Sequence, residues 1–377
     1  MAEGEKPYRL YRGGRRRGSV PLERSAPDAP AAPRPPRRRR RLWLWALAGV
    51  AGLAILGVAW GILGYVSFAR GVEKANGRLP AAARAELSRR DESVLSQPTT
   101  ILIIGTDGGR ASGRPDAQRS DSLLLLRTDP KRARLSYLSI PRDLRVEIPG
   151  HGTEKINAAS QLGGPALTIA TVRALTGIPI DHVVVVDFDG FKELIDALGG
   201  IEVDVPKPIL SNRFDCPYPA ARCREWEGWR FAKGRQRMDG RRALVYARIR
   251  TNRLDPSDTD MSRTARQQAV AEAVGDKVTS VGTFLRLPFI GDSLAAPLAT
   301  DLSAGELIRL GWVRLRASAS DVLHCRLGGD PATVGGESVL IGSEDNAAVV
   351  AMFLRASAPQ PPPKGQLYAP GCTRRPR

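Results

Sequence analysis

Residues 163–206 read GGPALTIATVRALTGIPIDHVVVVDFDGFKELIDALGGIEVDVP, and this stretch decides the fold. Ala166–Thr176 carries apolar residues at helical spacing and stops at Gly177, a residue suited to ending a helix. His182–Phe188 (HVVVVDF) is a short continuous apolar run, the pattern of a strand buried on both faces. Gly190–Leu198 returns to a short helix closed by Gly199-Gly200, and Ile201–Val205 alternates like an edge strand. Upstream, Thr100–Gly105 (TILIIG) and Ser122–Arg127 (SLLLLR) read as buried strands, and Ala133–Ile140 as a half-buried one. Downstream, Leu244–Ile249 fits either element, Met261–Val278 is a long helix, and Ser303–Leu315 and Glu344–Leu354 are helical stretches. Buried strands alternating with helices predict an α/β sandwich whose sheet is covered on both faces.

The chain has 377 residues and a formal charge of +18, and half of that excess lies in residues 1–41, with 13 Lys/Arg against four Asp/Glu. That segment also holds seven prolines and buries no core, so it reads as a disordered basic tail. Leu42–Ala69 follows with no charge and no proline, 28 residues where about 20 cross a bilayer as a helix. A cleaved signal peptide has an apolar stretch of about 7–15 residues near its start, so this one reads as an uncleaved single-pass anchor. Trp43, Trp45, Trp60 and Tyr65 sit toward its two ends, as interfacial aromatics do. The unbroken Arg37–Arg41 run before the span keeps the N-terminus cytoplasmic and puts everything after Arg70 outside. The predicted organisation is a tail at 1–41, a transmembrane helix at 42–69, an extracytoplasmic spacer at 70–98, and a folded domain at 99–280. An extension of unassigned role at 281–357 and a Pro-rich disordered tail at 358–377 complete it.

Four cysteines suit an oxidising compartment, the simplest pairing being Cys216–Cys223 and Cys325–Cys372 with the connectivity open. There is no C-x-x-C, and His151, His182 and His324 are scattered, which argues against a zinc centre. Neither a P-loop nor a G-x-G-x-x-G occurs. A GDSL string at 291–294 and a D-x-x-H at 321–324 mimic a serine esterase, but the sheet of such an enzyme does not fit in the interval between them. Ser293 reads as a helix cap or end.

What remains is arginine clustered with aspartate at strand ends. Asp107 follows a buried strand, Arg119 and Asp121 precede the next, and Arg142 and Asp143 follow the third. Arg248 and Arg250 end YARIR, and Asp260, Arg263, Arg266 and Gln267 open the long helix. Planar guanidinium groups bind the several anionic oxygens of a pyrophosphate bidentately. Carboxylates beside those oxygens call for a hard divalent cation between them. The combination points to phosphoryl transfer, in which positioning and charge neutralisation do most of the catalysis.

In order along the chain, GTD (105–107), RSDS (119–122), SIPRD (139–143), KIN (155–157), the run at 163–206, MDGRRALVYARIR (238–250) and DMSRTARQQ (260–268) resemble the LytR-CpsA-Psr family. The resemblance covers about 99–280 and implies that family's α-β-α sandwich with a mixed central sheet. It further implies a phosphotransferase that moves a glycopolymer from a polyprenyl-pyrophosphate carrier onto peptidoglycan, leaving a phosphodiester. Mg²⁺ (or Mn²⁺) is the implied cofactor. Matched position by position, Asp107 and Asp121 are the metal-associated aspartates. Arg119, Arg142, Arg248, Arg250 and Arg263 bind pyrophosphate, with Gln267 beside them. Arg119, Asp121, Arg142 and Arg250 are the residues expected to carry catalysis. An apolar tunnel for the prenyl tail is expected among the helices. Ser122 stands where Thr is commoner, Met261-Ser262 replaces Phe-Gly, and GRASGR (109–114) lengthens a loop beside the site. Lys155 and Asn157 match a family motif and suit a turn anchor as well as a ligand contact. The competing readings are a pyrophosphatase acting on the same donor and a membrane-bound regulator whose tail binds DNA. The tail carries no recognisable DNA-reading motif, so membrane lipids are its expected partner and nucleic acid is not.

Overall fold

The apolar run after the arginine cluster becomes one long helix, α1 (Arg37–Arg78), in the computed structural model. The structure describes residues 37–88, 96–108, 120–258, 260–363 and 365–374, the side chains of 37–41, 121, 260, 261 and 319 excepted. The expected 1–41 tail therefore falls outside the described residues except for Arg37–Arg41, which are helical. Contacts divide the chain into residues up to Ile55 and a unit from Leu56 to Arg377. The expected spacer opens as the last turns of α1 and continues in α2 (Ala81–Ala85).

Along the second unit follow β1 (Thr99–Thr106), β2 (Ser120–Asp129), β3 (Arg134–Ile140), β4 (Leu144–Ile148), β5 (Gly152–Lys155) and α3 (Ala158–Thr176). Next come β6 (His182–Asp187), α4 (Phe188–Ala197), β7 (Ile201–Val205), β8 (Ile209–Leu210), α5 (Ala220–Cys223), β9 (Arg230–Phe231) and β10 (Gly234–Met238). Then α6 (Gly240–Arg248), α7 (Asp260–Val278), α8 (Val281–Ala295), β11 (Ala299–Thr300) and α9 (Ala304–Arg316). The last elements are β12 (Val322–Arg326), β13 (Gly329–Val334), β14 (Glu337–Gly342), α10 (Asn346–Phe353) and β15 (Gly371–Arg374).

Seven strands form the central sheet in the order β11-β6-β1-β2-β3-β12-β15. It is mixed, with β1 parallel to β6 and antiparallel to β2, and β3 antiparallel to β2 and parallel to β12. The continuous apolar strands feed both faces. Leu123 and Leu125 of β2 join Leu102, Ile104, Ile169 and Val172 in the core under α3, while Leu124 and Leu126 turn to the other face with Val313 of α9 and Ala271 of α7. Successive strand residues point to opposite faces, so an unbroken Leu run fills two layers at once. A second core of Ile195, Val203, Val245, Tyr246 and Val270 ties α4, β7, α6 and α7 together beside the sheet.

Several expectations need correction. The helix expected over Ala166–Thr176 forms and ends at Gly177, but a short helical segment from Ala158 precedes it, set off by a kink at Gly163 and Gly164, whose backbone is non-helical, with Gly164 at a φ of 62°. Leu244–Ile249, left open by its pattern, lies in helix α6 except for Ile249, the helix cap. The 281–357 extension, whose role the sequence leaves open, is not peripheral: β12 extends the central sheet from β3, and β14 pairs with β4. Nor is 358–377 a structureless tail, since β15 borders β12. Disulfides join Cys216 to Cys223 and Cys325 to Cys372.

Candidate active site

Register brings the functional strand ends together. Gly105 faces Ser122 and Thr106 faces Ser120, so a bulge leaves Asp121 as the extra residue beside the end of β1, where Asp107 follows. On one side of β1 the parallel partner of Thr106 is Asp187, which starts α4. On the other side of β2, Ile140 of β3 faces Leu123, which puts Arg142 two residues past the same edge. The Pro141–Asp143 turn is clamped by its backbone: Asn157 N–H donates to the Arg142 carbonyl at 3.2 Å and Leu340 N–H to the Asp143 carbonyl at 2.9 Å. The Arg142 side chain is 17% exposed, with Nε 3.4 Å from Asp143 Oδ2. Of the KIN motif, Asn157 anchors this turn through its backbone, while the Lys155 side chain pairs with Glu337 of β14 at 2.7 Å.

Helix α6 delivers two more guanidinium groups. Asp239 caps it by accepting from Arg242 N–H at 2.7 Å, and Ala243, Leu244, Val245 and Tyr246 are buried. Burial pushes the Tyr246 hydroxyl up to about 12. After Arg248 the chain turns extended at Ile249, whose side chain is fully buried. In extended backbone alternate residues share a side, so burying Ile249 turns Arg248 and Arg250 the same way. Arg248 lies over the Phe188 ring at 4.4 Å and the Phe214 ring at 5.6 Å, and pairs with Asp215.

Helix α7 supplies the rest. Arg263 is 4% exposed, and one turn on Gln267 accepts a hydrogen bond from Ser122 Oγ at 3.2 Å, linking α7 to β2. Arg266 turns inward: its Nη1 is 2.9 Å from Asp258 Oδ1 and its Nη2 donates to the Ile249 carbonyl. Between Ile249 and α7, Lys207 and Ser257 hold the Asp255 carboxyl down to about 2.

Arg248, Arg250 and Arg263 line one cleft of about 270 Å³, together with Asn212, Phe214 and Thr251. Three of the five expected pyrophosphate ligands are thus brought together, with Gln267 a turn away. Arg142 and Asp107 stand at the neighbouring strand ends and are not among the cleft's lining residues. Arg119 lies outside the described residues, and Asp121 is described in its backbone only. Among the described residues no group of three or more His, Cys, Asp or Glu is gathered to hold a metal ion. Ser293 lies in α8, while His324 stacks on Tyr137 and contacts Gln268, so no esterase pair forms between them.

Asn212, Phe214, Asp215, Phe188 and Thr251 were not readable from the pattern. Phe214 and Asp215 belong to the poorly matched 207–237 segment, and the adjacent Cys216–Cys223 disulfide is the one signal that this loop is held in place. Arg241 adds to it, its Nη2 donating to the Cys216 carbonyl at 3.1 Å.

The LytR_cpsA_psr family model matches residues 65–355. The chain is 33% identical over 259 residues to the polyisoprenyl-teichoic acid--peptidoglycan teichoic acid transferase TagV of Bacillus subtilis (strain 168), covering 67% of this chain and 63% of TagV. It is 33% identical over 255 residues to the TagU transferase of Halalkalibacterium halodurans, covering 67% of this chain and 77% of TagU. Among solved structures, B. subtilis TagV superposes with a TM-score of 0.57 at 29% identity, over 69% of this chain and 96% of that one. TagT bound to LI-WTA superposes with a TM-score of 0.54 at 26% identity, over 71% of this chain and 97% of that one.

Proposed function

Because this chain belongs to the LytR-CpsA-Psr family, we propose that it is a membrane-anchored phosphotransferase that carries a glycopolymer from a polyprenyl-pyrophosphate onto peptidoglycan. The observation that carries this reading is the convergence of Arg248 at the end of α6, Arg250 just beyond it and Arg263 of α7 on one cleft. Relatives named as teichoic acid transferases support the reaction class. The apolar part of α1 is the membrane anchor, and the five arginines at 37–41 support a cytoplasmic N-terminus with the folded domain outside. Two disulfides suit that oxidising side.

In this reading the cleft arginines grip the pyrophosphate oxygens through charge-assisted, bidentate hydrogen bonds. Phe188 and Phe214 keep the Arg248 guanidinium planar to its ligand, and Asp215 limits its rotation. Arg142, fixed by its clamped backbone, approaches from the sheet edge. A peptidoglycan hydroxyl attacks the phosphorus bonded to the glycopolymer. Its proton passes to solvent, the bond to the bridging oxygen breaks, and polyprenyl phosphate leaves. The guanidinium groups stabilise the charge that builds on the departing phosphate. The strand register supports a divalent cation, since Asp107 and Asp121 flank adjacent strand ends and offer the hard oxygen donors that Mg²⁺ or Mn²⁺ prefers. Such an ion, held by those two residues, would supply positive charge between carboxylates and phosphates.

The test is transfer by the full chain in proteoliposomes containing lipid-linked donor, with labelled peptidoglycan as acceptor. Arg250→Ala removes one charge-assisted contact, and kcat/KM is expected to fall about 10²- to 10³-fold, with unfolding unchanged. Wild-type transfer by Arg250→Ala overturns the assignment of this cleft. Free phosphoglycan without labelled product from the wild type identifies a pyrophosphatase instead.

A further inference from the structure

Helix α8 carries an apolar stripe that the other described residues leave largely exposed. Val281, Phe284, Leu285 and Phe289 are 74%, 57%, 56% and 76% exposed, and their spacing puts them on one helical face. The helix itself is firmly seated. Thr283, Leu294 and Ala295 are buried, and Arg286 donates to the Ala197 and Leu198 carbonyls at the end of α4. Cations satisfy such C-terminal carbonyls, so Arg286 ties one side of α8 to protein and fixes the apolar side outward.

What covers the stripe follows from α1, against which α8 packs closely. A Cβ on Gly71 would lie 2.4 Å from the Asp292 carbonyl oxygen, and one on Gly291 would lie 2.7 Å from the Phe68 nitrogen. Only glycines permit that approach. Lys74 closes the contact through an ion pair with Asp292 at 2.6 Å. Lower on α1, Leu287 lies against Gly64, and the rings of Trp60 and Phe289 meet edge to face with centroids 5.5 Å apart.

Counting bounds the depth of Trp60. Leu42–Ala69 has 28 uncharged residues, about 42 Å of helix, and the hydrocarbon slab takes about 30 Å, or 20 residues, of it. Slide the slab from one end of the run to the other, and Trp60 stays inside it at every position. Phe289 packs on Trp60 and so lies at hydrocarbon depth too.

We propose that α8 is a second membrane element, whose Val281, Phe284, Leu285 and Phe289 enter the leaflet adjoining the folded domain. Arg70, Lys74 and Arg78 lie just beyond the apolar run, at the level of the phosphate headgroups. A single span lets a domain swivel about its own stalk. A span and an inserted helix, joined at Gly71 and Gly291, hold it at one height and one orientation over the bilayer. The inference rests on reading α1 as the anchor.

The experiment labels single cysteines with nitroxide in the full chain, reconstituted in phosphatidylglycerol-containing nanodiscs. The four native cysteines are paired and leave no thiol to compete. Collisions with oxygen, which partitions into lipid, are compared with collisions with a water-soluble nickel chelate. At Phe284→Cys and, separately, Leu285→Cys, oxygen is expected to dominate, as at Leu53→Cys in α1. At Val334→Cys, in the β13–β14 hairpin, nickel is expected to dominate. Lipid exposure at Leu53→Cys with nickel access at both α8 positions overturns the proposal and leaves the anchor standing. Nickel access at Leu53→Cys removes the anchor and the proposal with it. Shielding from both reagents at the α8 positions means that protein covers the stripe, which also refutes it.

Discussion

Removing Asp258 tests the internal support of the arginine cleft. Its side chain is fully buried and its partner Arg266 is 6% exposed, with 2.9 Å between Oδ1 and Nη1. Asp258→Ala leaves a guanidinium in the interior without its carboxylate, and breaking a buried pair this way costs about 3–5 kcal/mol. At about 2–4 °C per kcal/mol for a domain of 150–250 residues, Tm should fall by about 6–20 °C, the lower end suiting this larger unit. Transfer should suffer beyond the loss of stability. Arg266 also holds the Ile249 carbonyl, and Ile249 is the residue whose burial aligns Arg248 with Arg250. A displacement of about 1 Å in such groups costs up to about 100-fold in rate. Scanning calorimetry of the purified chain and proteoliposome transfer well below the new Tm separate the two effects. The double variant Asp258→Leu/Arg266→Met should recover most of the Tm, because an apolar replacement of both partners avoids the stranded charge. It should not recover transfer. An Asp258→Ala protein that melts with the wild type refutes the claim that this pair braces the site.

Other outcomes follow from the same structure. Cys216→Ser/Cys223→Ser opens a link with a sequence separation of seven, worth about 2.5 kcal/mol on the chain-entropy estimate. Since Asp215 and Phe214 adjoin it, transfer should fall more than Tm does, and a drop in Tm alone would show that the loop does not serve the cleft. His182 should give a pH signature. Burial opposes its charge, but the hydrogen bond and charge of Asp301 prevail and hold its pKa above the usual 6.5. That stabilisation is complete below about 6.5 and is lost as pH rises through the raised folded value. Tm should therefore decline across that window, and Asp301→Asn should flatten the decline. Chelation should abolish transfer, with recovery on adding Mg²⁺, and Asp107→Asn should shift the Mg²⁺ titration to higher concentration; a titration matching the wild type removes Asp107 from the site.

The centre of the fold was legible because its strands are apolar on both faces. ILII at 101–104, LLLL at 123–126 and VVVV at 183–186 are apolar at every position, a pattern that needs no knowledge of neighbours. The sheet's other border was not legible. β12 reads VLHCR and β15 reads GCTR, short and mixed, and they become strands only because β3 offers an open edge. Helix α6 was ambiguous since its nine residues carry charge at the start and apolar side chains in the middle. The capping Asp239 was its clearest local signal. In the site, arginines tied to motif positions could be named one by one. Phe188 and Phe214 could not, since nothing in a linear string says that two aromatic rings 26 residues apart flank the same guanidinium. Likewise VGTFLRLPFIGDSLA (281–295) was not legible as a helix, and its exposed apolar side gains meaning only when Trp60 is found against Phe289.

The bond between Cys325 and Cys372 sits at a directly opposed pair of residues on β12 and β15. β15 is the last strand of the sheet in chain order, more than forty residues after its neighbour, so it is also the last to emerge during synthesis. Until it arrives, β12 presents an unpaired border on which another polypeptide can grow. Oxidation therefore acts as a latch that is thrown last, and a chain that stalls or is clipped before residue 371 is left adhesive along that margin.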